Sequence, residues 1–203
     1  MLMAGDKKLG TTDNIGQITL ITGGARSGKS KLAEQLVREA GLPVTYLATM
    51  SMPDDDEELT LRINKHRSRR PDSWTTIEEP LMVAQRVLDL PAPVGGRGVC
   101  LIDCLSLFVS NLLLSMPSGL SSSEVLNALE DNVLKEIDDL LGAIKSRPDY
   151  AFVMVTNEVG LAVVPEVQLA RIYRDLLGLA NQKAAQVATA VYICFAGLPL
   201  KLK

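Results

Sequence analysis

The residues best equipped for chemistry in this chain are Gly23-Gly24-Ala25-Arg26-Ser27-Gly28-Lys29-Ser30. They meet the pattern G-x-x-x-x-G-K-[ST] at each fixed position, after the apolar run Ile18-Thr19-Leu20-Ile21-Thr22 and before a helix-patterned segment. That is a phosphate-binding loop in its strand–loop–helix setting. Gly23 and Gly28 permit backbone bends that turn N–H groups inward on phosphate oxygens. Lys29 brings a positive charge to the β- and γ-phosphates, and the Ser30 hydroxyl is suited to ligate Mg²⁺. The following helix adds the partial positive charge of its N-terminus.

A second acidic position completes the pattern. Val99-Cys100-Leu101-Ile102-Asp103 is an apolar strand ending in a carboxylate, which beside a phosphate-binding loop reads as the Walker-B acid that helps hold Mg²⁺. The single histidine, His66, shares a helical face with Leu59, Arg62, Ile63, Arg69 and Arg70. One histidine on a half-apolar face is commonly packed or solvated. The guanidinium cluster adds a second reading, because Arg binds phosphate bidentately and nearby positive charge keeps an imidazole neutral and nucleophilic. Asn64-Lys65-His66-Arg67 lacks the Asp of the guanine-reading N-K-x-D motif, and no strand precedes it.

The elements that must carry these groups alternate along the chain. Residues 1–16 are polar and patternless and read as a mobile leader; 17–203 read as one domain. The segment after the loop places Leu32, Ala33, Leu36, Val37 and Ala40 on one helical face, and Gly41 and Pro43 end it. Val44–Ala48 is a second strand, so a βαβ unit with a parallel, right-handed crossover is expected. Residues 54–70 begin acidic and end basic, the charge order of a surface helix, stopped by Pro71. Trp74–Ile77 reads as a short strand, Leu81–Leu90 as a short helix, Pro91–Gly98 as a turn and Leu105–Leu114 as a helix carrying Asn111. Ser121 and Glu124 form a capping box before a helix with the core stripe Val125, Leu129, Val133, Ile137, Leu140 and Ile144. Ala151–Thr156 is an apolar strand leading into Asn157-Glu158-Val159-Gly160. Pro165 is expected to open a last helix with Leu169, Tyr173, Leu176, Leu177 and Ala180 on one side, and Val191–Ala196 is the final strand. The sum is α/β: a three-layer P-loop NTPase-like domain with a mostly parallel sheet. Ligands in such sheets sit at the carboxyl ends of the strands, an edge that would gather Gly23–Ser30, Ala48-Thr49-Met50, Asp103 and Asn157-Glu158.

Bulk properties narrow the class of partner. A net charge of −3 gives no general attraction to nucleic acid or an anionic membrane, so a phosphate ligand needs a local basic site. Cys100, Cys104 and Cys194 lie in or beside strand-like runs and read as buried free thiols of a reducing compartment. No apolar run approaches the ~20 residues of a membrane span, and Met1–Lys8 have no secretory pattern. A cytoplasmic enzyme acting on small molecules is expected.

The combined motifs resemble one family. Gly23–Ser30, Arg62-Ile63-x-x-His66-x-x-x-Arg70-Pro71 and Thr156-Asn157-Glu158-Val159-Gly160 are similar to the bifunctional adenosylcobinamide kinase/adenosylcobinamide-phosphate guanylyltransferase family of cobalamin biosynthesis. Trp74 with Glu78, Asp103-Cys104 with Asn111, Val164-Pro165-Glu166, and Ala170-Arg171 with Arg174-Asp175 and Asn181-Gln182 extend the resemblance from about Gln17 to the C-terminus. It implies that ATP or GTP phosphorylates adenosylcobinamide, and that GMP then passes from GTP to a histidine and on to the phosphorylated cobinamide, yielding adenosylcobinamide-GDP and pyrophosphate. By the same resemblance His66 is the nucleophile and Lys29 acts on the phosphates. Nucleotide contacts fall on Gly23, Gly24, Ala25, Arg26, Ser27, Gly28, Lys29, Ser30, Ala48, Thr49, Met50, Arg67, Ser68, Arg69, Arg70, Glu78 and Asp103. Ser30 and Asp103 would hold Mg²⁺, and a homotrimer is implied.

The chain departs from the family pattern at Leu179, at Val167-Gln168 and at Thr189, and residues 1–16 have no counterpart in it. Two other readings compete: a P-loop kinase of a different small alcohol with a structural His66, and a nucleotide-dependent switch or assembly ATPase.

Overall fold

A computed structural model describes residues 17–50, 70–115 and 123–203, with side chains from 126 onward in the last stretch. The leader 1–16, the charged segment up to residue 69 with His66, Arg67, Ser68 and Arg69, and the Ser121/Glu124 capping box lie outside the described residues. In chain order the elements are β1 (Ile18–Gly23), α1 (Lys29–Glu39), β2 (Val44–Ala48), β3 (Thr75–Glu78), α2 (Val83–Leu88), β4 (Gly98–Asp103), α3 (Leu105–Ser115), α4 (Ser123–Lys145), β5 (Tyr150–Val155), α5 (Gln168–Val187), β6 (Ala190–Phe195) and β7 (Leu198–Lys201). They build one seven-stranded sheet in the order β3-β2-β4-β5-β1-β6-β7, parallel throughout except for β7.

Strand composition explains this arrangement. β2 and β5 are buried at every position and β4 at all but its last, as a sheet covered on both faces requires. Alternate residues go to opposite layers. Ile18, Leu20, Leu47, Cys100, Ile102, Phe152 and Met154 join a core with α2, α3, α4 and α5. Ile21, Tyr46, Val99, Leu101, Val153 and Tyr192 join one with α1, through Leu32, Ala33, Leu36 and Val37. The sheet thus lies between α1 and the four other described helices, a three-layer α/β domain as expected. The stripe Leu129, Val133, Ile137, Leu140 and Ile144 is fully buried, and the three cysteines are buried and unpaired. Burial pushes the Cys100 thiol up to about 12 and that of Cys104 up to about 11.

β1 and β2 are parallel, as expected, with β4 and β5 between them. Several other expectations need correction. Helical geometry around Leu81–Leu90 is confined to Val83–Leu88, since Glu79 Oε1 accepts the Leu81 and Met82 N–H groups and holds the approach in a turn. The Pro91–Gly98 stretch contains a 3₁₀ turn at Val94–Gly96, and Gly98 already belongs to β4. Pro165 does not open the last helix. Val167 is extended, Gln168 is the first helical residue, and Arg171 Nη1 donates to the Pro165 and Glu166 carbonyls at 3.0 and 2.5 Å. Leu169 consequently stays exposed rather than entering the core. The terminal strand β7, which turns back on β6 through Ala196 and Gly197, both at positive φ, was not foreseen.

One arginine ties the segment after α2 to the body. Arg147 donates to the carbonyls of Val87 and Leu90 at 3.1 and 2.7 Å, and its Nε and Nη2 form a fork with Asp149 at 2.9 and 2.8 Å. Those hydrogen bonds hold the Asp149 carboxyl below its ordinary range. Its contribution to stability is therefore complete above the usual carboxylate pKa and is lost as pH falls through the lowered native value. Arg147→Ala should cost about 3 kcal/mol in urea unfolding at pH 7 and flatten the acid limb of the stability profile. A loss below about 1 kcal/mol would show that water replaces the guanidinium at these carbonyls.

Candidate phosphate-transfer site

The loop between β1 and α1 is shaped by contacts that exclude side chains at Gly23 and Gly28. Gly23 has φ 152°, and a Cβ there would lie 2.6 Å from both the Cys194 carbonyl oxygen and Ser27 Oγ. At Gly28, φ 100°, a Cβ would stand 3.0 Å from the Cα of Gly197 in the β6–β7 turn. The Gly197 N–H donates to the Ser27 carbonyl at 2.9 Å, so the unforeseen hairpin braces the loop from one side. From the other side the Glu158 N–H donates to the Gly23 carbonyl at 3.1 Å. α1 begins at Lys29 with Gly28 as its N-cap and no side-chain cap.

Lys29 Nζ donates to the Gly24 carbonyl at 3.0 Å, which holds the ammonium over the loop. Burial lowers its pKa, and nearby anionic groups including Asp103 work in the opposite direction. Ser27 Oγ is buried without a hydrogen-bond partner, a polar atom turned into a loop that phosphate oxygens would satisfy. The residues therefore fit a nucleoside phosphate.

Across the sheet the strand ends converge as expected. In register, Ala48 pairs with Asp103 on one side and Glu78 on the other, while Asp103 pairs with Val155. Thr49, fully buried, clamps β2 to β4: its Oγ1 donates to the Cys104 carbonyl at 2.8 Å and accepts the Cys104 N–H at 2.9 Å. Asn111 Nδ2 donates to the Thr49 and Pro80 carbonyls at 2.7 and 3.0 Å, tying β2 and the turn before α2 to α3. Thr156 Oγ1 donates to Asn181 Oδ1 at 2.7 Å, and Asn181 Nδ2 to the Asn157 carbonyl at 2.9 Å, which holds the exit of β5 on α5. Asn111 and Asn181 thus serve the site as braces.

Asp103 is half-buried at the end of β4, and its Oδ2 accepts the Tyr46 hydroxyl at 2.5 Å. Mg²⁺ favours one or two carboxylates completed by phosphate oxygens and water. Asp103, with Oδ1 remaining beside the tyrosine-bound oxygen, and the Ser30 hydroxyl at the start of α1 match that chemistry. Among the described residues no group of three or more His, Cys, Asp or Glu forms a metal cage. Of the expected contacts, Gly23–Ser30, Ala48, Thr49, Met50, Glu78 and Asp103 lie along the carboxyl edge of the sheet or the segments leaving it, while Arg70 precedes β3 and lies over the Tyr46 ring.

A family model described as cobinamide kinase/cobinamide phosphate guanyltransferase matches residues 19–202. The chain belongs to this family. It is 41% identical over 184 residues to the bifunctional adenosylcobalamin biosynthesis protein CobP of Pseudomonas aeruginosa, covering 91% of this chain and 96% of that protein. The corresponding Escherichia coli (strain K12) protein, CobU, is 37% identical over 91% of this chain and 98% of its own length. A solved Pyrococcus horikoshii structure shares the fold at 10% identity, with a TM-score of 0.51 over 93% of this chain and 87% of that one.

Within this family member, sequence reasoning missed Tyr46. It sits mid-strand in an apolar run and reads as core, which by burial it is. Its hydroxyl nonetheless reaches Asp103, and its ring carries the Arg70 guanidinium 3.4 Å from the centroid on one side and a stacked Trp74 at 6.5 Å. Burial, then repulsion from Asp103, raises the Tyr46 pKa well above its ordinary value, so the hydroxyl remains a donor. Tyr46→Phe should raise the Mg²⁺ concentration for half-maximal turnover several-fold while leaving nucleotide affinity within about twofold. An unchanged Mg²⁺ profile would assign Tyr46 to packing alone.

Proposed function

We propose that this protein phosphorylates adenosylcobinamide with ATP or GTP, and then transfers GMP from GTP through His66 to give adenosylcobinamide-GDP and pyrophosphate. The reading rests on family membership over nearly the whole chain. The observation that favours one site for both steps is Arg70. It closes the His66-x-x-x-Arg70-Pro71 segment, and its guanidinium stacks on the tyrosine that holds Asp103.

In the first step the loop N–H groups and Lys29 hold the triphosphate and offset charge that builds on the transferred phosphoryl group. Ser30 and Asp103 would hold Mg²⁺, which when bound would supply charge neutralisation at the phosphates. The acceptor hydroxyl oxygen bonds to the γ-phosphorus, the bond to the β-phosphate oxygen breaks, and the hydroxyl proton is released. In the second step an imidazole nitrogen of His66 bonds to the α-phosphorus of GTP and pyrophosphate departs with the electron pair. An oxygen of the cobinamide phosphate then displaces the imidazole. Arg67, Ser68, Arg69 and Arg70 hold the triphosphate in line for that exchange. Glu78 and Ala48-Thr49-Met50 border the nucleotide. The enzyme is proposed to act as a cytoplasmic homotrimer; no described helix is long and apolar enough to cross a membrane.

His66→Ala should abolish label retained after denaturation from GTP labelled at the α-phosphate, and with it GMP transfer, while sparing most phosphorylation of cobinamide. The label on wild type should be acid-labile and stable to alkali. Label that survives in the variant rejects the assignment, since the chain has no other histidine. Lys29→Ala should lower both activities by roughly 100-fold or more, as loss of one preorganised charge does elsewhere. Near-normal phosphorylation in that variant would require a second nucleotide site.

A further inference from the structure

We propose that residues 161–167, the segment between β5 and α5, form the docking platform for the corrin body of the acceptor. The identity of the acceptor rests on the function proposed above; the location rests on topology and exposure. β5 runs between β1, which delivers Lys29, and β4, which ends in Asp103. The chain leaving β5 therefore emerges between the two groups that flank the transferred phosphoryl group. An acceptor whose reacting oxygen enters there must rest its bulk on what surrounds that exit.

The segment is anchored just before its start and near its end. The Glu158 N–H is bound to the Gly23 carbonyl at 3.1 Å, and Glu158 Oε1 accepts the Gly160 N–H at 2.6 Å. At the far end the Arg171 guanidinium gathers the carbonyls of Pro165 and Glu166. Yet the side chains it presents are aliphatic and open to solvent: Leu161 is 78% exposed, Val163 91%, Val164 58% and Val167 65%. A cluster of this kind, fixed by polar contacts and left without a core to enter, marks a binding surface. A corrin ring suits it, since its methyl-bearing rim is apolar while its amide arms remain in water. The reacting oxygen sits on a short arm of the macrocycle, so the body stays beyond the sheet edge while the arm enters. The same platform serves both steps, because the phosphorylated product of the first is the acceptor in the second. Contact between copies of the chain has another apolar face available, Phe195, Leu198, Leu200 and Leu202 on the β6–β7 hairpin.

The test uses Val163→Asp and Leu161→Asp in the full chain, at exposed positions where a charge leaves the core intact. Adenosylcobinamide is titrated onto each protein with a non-hydrolysable GTP analogue bound, following corrin absorbance, and the affinity for the analogue is measured separately. The corrin dissociation constant should rise at least about tenfold in both variants, with nucleotide affinity and melting temperature unchanged. Wild-type corrin affinity in both variants overturns the platform and leaves the proposed function standing. A change in sedimentation mass with corrin affinity retained also overturns it, making the segment an interface between copies. If wild type itself binds no corrin, the acceptor reading fails, and the platform with it.

Discussion

The interposition of β5 between β1 and β4 governs the rest of the site. A phosphate-binding loop and a metal-binding carboxylate on adjacent strands would stand one strand spacing, about 4.8 Å, apart. With β5 between them that separation doubles, which leaves room for a phosphate chain and ion and places a third strand exit at the centre. Asn157 and Glu158, with the turn that follows, then lie at the middle of the edge. The supporting contacts maintain this spacing: Thr49 fastens β2 to β4, Asn181 fastens the exit of β5 to α5, and Glu158 and Gly197 hold the glycine loop from opposite sides.

The electrostatics of the edge follow from partial burial. Lys29, whose pKa burial lowers, keeps Asp103 within its field. Asp103 is in turn oriented by a hydroxyl that burial keeps protonated. Arg70 lies flat on the same ring, and its Nε is buried without a partner. Tyr46 thereby joins an acidic group and a basic group that belong to segments far apart in sequence. A phenol can do this because its face attracts a cation while its hydroxyl serves an anion. Leucine, equally able to fill the α1-side core, could do neither.

Much of this was legible in the chain. The glycine–lysine pattern with its flanking strand and helix marked the loop, because a phosphate cradle demands particular backbone freedom at particular positions. Continuous apolar runs at β2, β4 and β5 indicated a sheet buried on both faces, and the end of one run marked Asp103 as a carboxylate at the carboxyl edge. Periodicity was sound where a helix buries a full stripe, as in α4. It failed at Pro165 and Leu169, where a proline suited to a first helical turn stands instead in a loop that Arg171 gathers from below.

Local sequence therefore determined the chemistry available and the elements that deliver it, because backbone bends, burial of strands and helical stripes are settled by neighbours within a few residues. Tertiary structure alone decided which strands lie side by side, that the terminal hairpin braces the glycine loop, and that Tyr46 reaches Asp103. Those outcomes depend largely on contacts between segments distant in the chain, as in the Tyr46–Asp103 contact, which joins residues 57 apart. No local pattern encodes such a pairing; it emerges only when the whole sheet closes around one core.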